Sequence, residues 1–159
     1  MPPYKLLAAK GGGSMIVEGA FALAGLPLDV EYFSWTDLGL EHEEIRAVNP
    51  LMQVPSLVCP DGRIMTESAA IPHVLATRFG PSSLAVAPDE PGYMAYMNFL
   101  FMGEATLTFP QTIFLRYSKL EPEERRLPQA AEDYRKWFLG RLRIVESTLA
   151  DRRHLAAGR

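Results

Sequence analysis

Cysteine is nearly absent from this 159-residue chain, where Cys59 stands alone. A single thiol excludes an internal disulfide and fits a reducing compartment. No Cys-x-x-Cys pair exists, so dithiol-type disulfide exchange is not expected. Histidine is also scarce: His42, His73 and His154 lie far apart and form no metal-ligand pattern. No apolar run approaches the ~20 residues of a membrane span. The longest, Tyr93 to Met102, is interrupted by Asn98. Near the start, Leu6-Leu7-Ala8-Ala9 is stopped by Lys10, too short for a signal-peptide core. An excess of one charge is lacking too. Sixteen Lys and Arg against nineteen Asp and Glu leave a net charge of −3. That balance argues against a nucleic-acid binder, which carries a basic stripe. The expectation is a cytoplasmic protein with no nucleic-acid or membrane partner and no metal.

What is present is the composition of a globular protein, 48% hydrophobic and 22% charged, which excludes global disorder. A chain of this size buries roughly 70% of the surface it exposes when unfolded. One domain, or two small modules, is expected.

Tyr4 to Ala8 reads as a strand and Lys10-Gly11-Gly12-Gly13 as a loop. Ser14, a preferred N-cap type, opens an apolar helix from Met15 to Leu23. Gly25-Leu26-Pro27 supplies its stop. Asp29 to Phe33 is a second strand. A mixed stretch, residues 34–48, contains a short helix at Glu43–Val48, ended by Asn49-Pro50. Ser56 to Cys59 and Arg63 to Thr66 are strands joined by the turn Pro60-Asp61-Gly62-Arg63. Glu67-Ser68 then start a helix that runs to about Phe79. The first 80 residues thus predict a mixed sheet with helices packed on it.

Residues 81–92 read as a linker, rich in proline, glycine and serine. Beyond it, residues 93–159 are helical. One long segment from Tyr93 to about Tyr117 is expected to bend at Pro110, which has no amide proton. Glu121-Pro122-Glu123-Glu124 has the look of a helix start. A further helix from near Pro128 to Leu149 carries Tyr134, Trp137, Phe138, Leu142, Val145 and Leu149 on one face.

Three motifs in this order resemble the glutathione S-transferase family. They are strand–glycine loop–Ser14–helix–Gly25-Leu26-Pro27, then Asn49-Pro50-Leu51-Met52-Gln53-Val54-Pro55, then Glu67-Ser68-Ala69-Ala70-Ile71 after a hairpin. The resemblance covers residues 4–150. It implies a thioredoxin-like glutathione-binding domain over residues 1–80, a linker over 81–92 and an all-α domain over 93–159. That second domain is read as incomplete, because the family normally continues into further helices. A homodimer, glutathione as co-substrate, a small hydrophobic electrophile and a role in detoxification are also implied.

The resemblance assigns Gln53, Val54, Pro55, Glu67 and Ser68 to glutathione. A cis Val54-Pro55 bond is expected, with the Val54 backbone pairing the cysteinyl residue. Glu67 and Ser68 sit where a strand meets a helix N-terminus, whose free amides and partial positive charge suit an anion. The family places the γ-glutamyl end there, with Ser68 toward the carboxylate and Glu67 toward the ammonium. Ser68 is also expected to cap the helix.

The catalytic group implied is Ser14, making this a serine-type, bacterial-like member. Other branches use a tyrosine or a cysteine where this chain has Ala8 and Gly13. A free thiol has a pKa of roughly 8.5, and lowering it by ~2 units requires about 2.7 kcal/mol. A hydroxyl donor at a helix N-terminus can supply that through a hydrogen bond and the helix dipole. The family also implies an electrophile pocket, for which Thr108, Gln111, Ile113 and Tyr117 are the candidates. Two alternatives stay open: a non-catalytic binding or dimerisation module on the same fold, and a glutathione-dependent isomerase, dehalogenase or peroxidase.

Overall fold

The computed structural model describes residues 3–35, 39–80 and 84–158. Parts of the mixed stretch 34–48 and of the linker 81–92 lie outside the described residues. The chain divides into two compact units, Met1–Ala85 and Val86–Arg159.

The first unit is built around β1 (Tyr4–Ala8), whose side chains alternate between two faces. Leu6 and Ala8 enter one core; Leu7, with Ala9 just beyond the strand, enters another. Both faces of β1 are therefore covered, which is why its sequence is a continuous apolar run. The sheet order is β2–β1–β3–β4, with β2 (Leu28–Tyr32) parallel to β1 and β3 (Ser56–Val58) antiparallel to it. β4 (Ile64–Met65) pairs antiparallel with β3.

The parallel β1–β2 pair requires a crossover, supplied by α1 (Ser14–Ala24). Val17 and Phe21, four residues apart, face the sheet and pack with Ile71 and Leu75 of α3 (Ala70–Arg78). The end of α1 follows the Schellman pattern. Gly25 is left-handed at φ 66°, its amide donates to Ala22 O at 3.2 Å, and Leu26 N–H donates to Phe21 O at 3.1 Å. On the other face, Ile45 of α2 (Glu43–Val48) packs with Leu7, Ala9 and Leu40. In the β3–β4 turn, Gly62 takes φ 82° and its amide donates to Cys59 O at 2.9 Å. Cys59 itself follows the strand and is only half-buried.

The second unit opens with α4 (Tyr93–Phe101), which buries none of its side chains fully. The helical path then runs through a π-helical stretch, Met102–Thr108, into α5 (Phe109–Leu115) and a second π stretch, Arg116–Leu120. The disturbance expected at Pro110 takes this form. Proline removes one ladder donor and its ring crowds the preceding turn, which the wider π turn relieves. Thr108 Oγ1 donates to Gly103 O at 2.8 Å, closing the widened turn.

Glu121-Pro122-Glu123-Glu124 does not start the next α-helix. Glu123–Arg125 form only a 3-10 turn, and α6 (Pro128–Ala150) begins beyond it. The reason is Glu121, which turns inward. Its carboxylate accepts from Arg116 at 2.6 Å and lies 3.2 Å from Arg125, while Arg126 Nε donates to its carbonyl at 3.0 Å. Tyr134 of α6 meets Phe109 edge-on at 6.2 Å and Trp137 at 5.3 Å. Trp137, Leu142 and Leu149 stay exposed. Among the described residues, no helix is long and apolar enough to cross a membrane.

Candidate ligand site at two helix N-termini

The glycine loop leaves β1 through a tight turn in which Gly12 N–H donates to Ala9 O at 3.1 Å. Gly11 adopts φ 77°, a conformation that L side chains rarely take. Ser14 is the first residue of α1 and only 1% exposed. Its hydroxyl donates to Ala9 O at 3.1 Å and accepts Ala9 N–H at 3.3 Å. This differs from the expected cap. Gly13 holds the N-cap position, in a right-handed conformation, and no side chain caps the helix. Ser14 turns back to the strand end, so its one hydroxyl proton ties the loop to β1.

The second element of the site is the loop from Asn49 to Ser56. Asn49, buried, donates from Nδ2 to Gln53 O at 3.1 Å and to Ser56 Oγ at 3.3 Å, and accepts Leu51 N–H at 3.0 Å. Ser56 Oγ, fully buried, donates to Gln53 O at 2.8 Å. This buried polar brace fixes the carbonyl that precedes Val54. The Val54-Pro55 bond is cis. Val54 is half-buried, Pro55 is buried and the Gln53 side chain is exposed.

The third element is the turn into α3. Glu67 O accepts Ile71 N–H at 3.1 Å, so the helical turn opens at Glu67 although α3 proper begins at Ala70. Ser68 is not the N-cap as expected; Ala69 is, without a side-chain cap bond. Ser68 is half-buried and Glu67 exposed.

These elements converge at Gly13. A Cβ on Gly13 would stand 3.5 Å from Pro55 Cδ, 3.5 Å from Ser68 Cβ and 3.6 Å from Ser68 Oγ. The N-terminus of α1, the cis-proline loop and the turn into α3 thus share one place. Amides of a helix's first turn have no intrahelical acceptor, so this place offers donors to an anion. Gly12, the preceding residue, meets a different set of neighbours. A Cβ there would be 3.2 Å from Ala9 O, 3.5 Å from Val54 Cγ2 and 3.7 Å from Trp35 Cζ2.

Of the four electrophile-pocket candidates, one lines a described cavity. Tyr117 lines a cavity of about 290 Å³ in the second unit, with Phe114, Arg126 and Ala131. Thr108, Gln111 and Ile113 do not line it; Thr108 and Gln111 are exposed, and the Thr108 hydroxyl serves its own helix. Burial pushes the Cys59 thiol up and the Asp61 carboxylate adds to the shift, which disfavours its thiolate. Among the described residues, no group of three His, Cys, Asp or Glu side chains is placed to hold a metal ion.

Sequence reasoning passed over Trp35, Gly12 and the Asn49–Ser56 brace. A tryptophan in a polar stretch and a run of three glycines were the available signals for the first two. The brace had none, since Asn49-Pro50 also reads as an ordinary helix stop.

Residues 14–78 match the family model described as the glutathione S-transferase N-terminal domain. A 68-residue stretch is 38% identical to an uncharacterized GST-like protein, YncG, of Escherichia coli (strain K12), covering 42% of this chain. That match spans 33% of the relative, a third of its length. A solved structure of a possible glutathione S-transferase from Rhodopseudomonas palustris superposes with a TM-score of 0.80 at 25% identity, covering 99% of this chain and 76% of that one. The glutathione transferase URE2P6 from Phanerochaete chrysosporium, in complex with oxidized glutathione, gives a TM-score of 0.84 at 23% identity over 96% of this chain and 70% of that one. The fold is a thioredoxin-like domain followed by a helical region. Residues 14–78 are thus similar to a glutathione S-transferase N-terminal domain, and the fold is shared with the solved glutathione transferase structures.

Proposed function

We propose that the first unit binds glutathione and that the protein is a glutathione transferase acting on apolar electrophiles. The observation that carries this reading is the meeting of Gly13, Pro55 and Ser68 at two helix N-termini. Val54 presents its backbone to the cysteinyl residue. Ser68 and the first turn of α3 take the γ-glutamyl carboxylate, and Glu67 takes the ammonium group. Gln53 flanks the same edge. The URE2P6 structure, which contains oxidized glutathione, supports the ligand class.

In this reading the thiol loses its proton to solvent, the sulfur lone pair forms the new carbon–sulfur bond, and the leaving group departs with its electron pair. Ser14 is the residue assigned to the sulfur. Its amide, at the first position of α1, can donate without any movement. Its hydroxyl serves only after rotating away from Ala9 O. Thr108, Gln111, Ile113 and Tyr117 remain the candidates for the electrophile side of the reaction, with Tyr117 lining a cavity of about 290 Å³ in the second unit. A homodimer belongs to the same reading, supported by the exposed apolar side chains of α4, where Met94 is 81% and Phe101 57% exposed.

The test is calorimetric titration with reduced glutathione in two buffers of different ionisation enthalpy. Near-stoichiometric proton release near neutral pH is the expected result, and Ser14→Ala should bind with less release. The inward hydroxyl of Ser14 favours one other reading, a glutathione-binding module without catalysis. Binding with no proton release in the wild type selects that module and removes the transferase.

A further inference from the structure

We infer that Trp35 is a positioning residue of this site: its indole latches the glycine loop against the Val54 edge and so fixes the N-terminus of α1. The inference rests on the glutathione reading above for its ligand, but the latch itself is a matter of geometry. Trp35 Nε1–H donates to Lys10 O at 2.9 Å, a tie across 25 positions of sequence. The same ring brings Cζ2 to 3.7 Å from where a Gly12 Cβ would stand, and Val54 Cγ2 comes to 3.5 Å of that point. Gly12 thus has the indole, the Val54 side chain and Ala9 O as near neighbours, the last at 3.2 Å.

Three consecutive glycines need such a restraint. Glycine loses more conformational freedom on folding than any other residue, so a triglycine run holds no geometry by itself. From inside, Gly12 N–H and Ser14 Oγ both bond to Ala9 O. From outside, Trp35 closes the same loop. Trp35 is anchored in turn, because the carbonyl of its neighbour Ser34 accepts a hydrogen bond from His42 Nε2 at 2.8 Å. His42 also meets the Phe33 ring at a tilted angle of 56°, with ring centroids 5.1 Å apart. A strap therefore runs from the start of α2 through Ser34 and Trp35 to Lys10.

The ring is 54% exposed, so the strap is not part of the core. Its place explains why it is there. Gly13 lies beside Pro55 and Ser68, and the preceding Gly12 beside Val54 and Trp35. The indole stands at Gly12 together with Val54, the residue whose backbone is assigned to the ligand.

The test starts from the Trp137→Phe variant, which leaves Trp35 as the sole tryptophan of the two in the chain. Reduced glutathione should change its emission on saturation. Trp35→Phe keeps an aromatic ring and loses the N–H. It should raise the glutathione Kd about three- to tenfold, the worth of one hydrogen bond, with the thermal midpoint unmoved. Amide hydrogen exchange at residues 11–14 should become several-fold faster without ligand, whereas a purely structural role would lower the midpoint and leave this local effect unseen. Unchanged exchange in Trp35→Phe overturns the latch, and so does unchanged affinity in a chain that binds glutathione. If the wild type binds no glutathione while exchange still accelerates, the latch stands and the ligand assignment falls.

Discussion

The two units use apolar residues differently. In the first, β1 is covered on both faces, and α1, α2 and α3 each press a buried side chain onto the sheet. In the second, Val86 and Ala131 are the buried hydrophobic side chains among the described residues. Large apolar groups are no rarer there: Phe101, Phe109, Trp137, Leu139, Leu142 and Ile144 are all substantially exposed. A short strand has two faces, and one layer of helices on each side closes both. A long helix with apolar residues around much of its girth needs neighbours on several sides. Order in the second unit therefore leans on local bonds, such as Thr108 to Gly103, Thr112 to Thr108 and Arg135 to Glu132.

The largest effect that would sharpen this contrast is at Phe21. Phe21→Ala should cost about 3–5 kcal/mol by chemical denaturation. Trp137→Ala in α6 should cost about 1 kcal/mol or less, because the ring is already half in water. Equal losses would break the comparison.

Next comes the brace behind the ligand edge. Asn49→Ala removes three hydrogen bonds in a buried setting and should cost about 1–3 kcal/mol. It should also weaken glutathione binding. Ser56→Ala should cost less, since Gln53 O keeps its bond from Asn49. An Asn49 variant with native stability and affinity would remove the brace from the site's construction.

A smaller effect tests how the second unit is tied. Glu121→Gln should lower stability by about 1 kcal/mol, because both arginine partners are more than half exposed and water screens the loss. Thermal melts at low and high salt check it; a loss several times larger would mean that the helix connection depends on this one carboxylate.

The smallest concerns Cys59. Burial favours its neutral thiol in the folded state, with Asp61 adding to the shift. The resulting stabilisation is present below the ordinary thiol range and is lost as pH rises through the raised folded value. Alkylation at neutral pH should accordingly be slower than for a free thiol. Rates matching a free thiol would contradict the burial.

Much of the first unit was legible in sequence because its signals are local. The Gly25-Leu26-Pro27 stop, the Gly62 turn and helix Glu43–Val48 each follow from side chains and backbone freedom within a few residues. The motif pairing of Val54-Pro55 with Glu67-Ser68 marked the loops that the fold brings to Gly13. The direction of the Ser14 hydroxyl was not legible. It depends on Ala9, five positions back, being brought within 3.1 Å by the turn of the glycine loop. Ser68 likewise reads as a cap by residue type, yet the helical turn opens on the Glu67 carbonyl.

By itself, the sequence determined the order of strands and helices and the three motifs from which the candidate site is read. Those depend on residue type, period and short-range backbone preference. The tertiary structure decided which atoms those residues present. It put Gly13 against Pro55 and Ser68, gave Gln53 O two buried donors, and laid Trp35 across the glycine loop. It also left the long helices of the second unit with apolar faces in the open. Contacts between distant segments form only when the sheet closes, and no local pattern encodes which partner each side chain then meets.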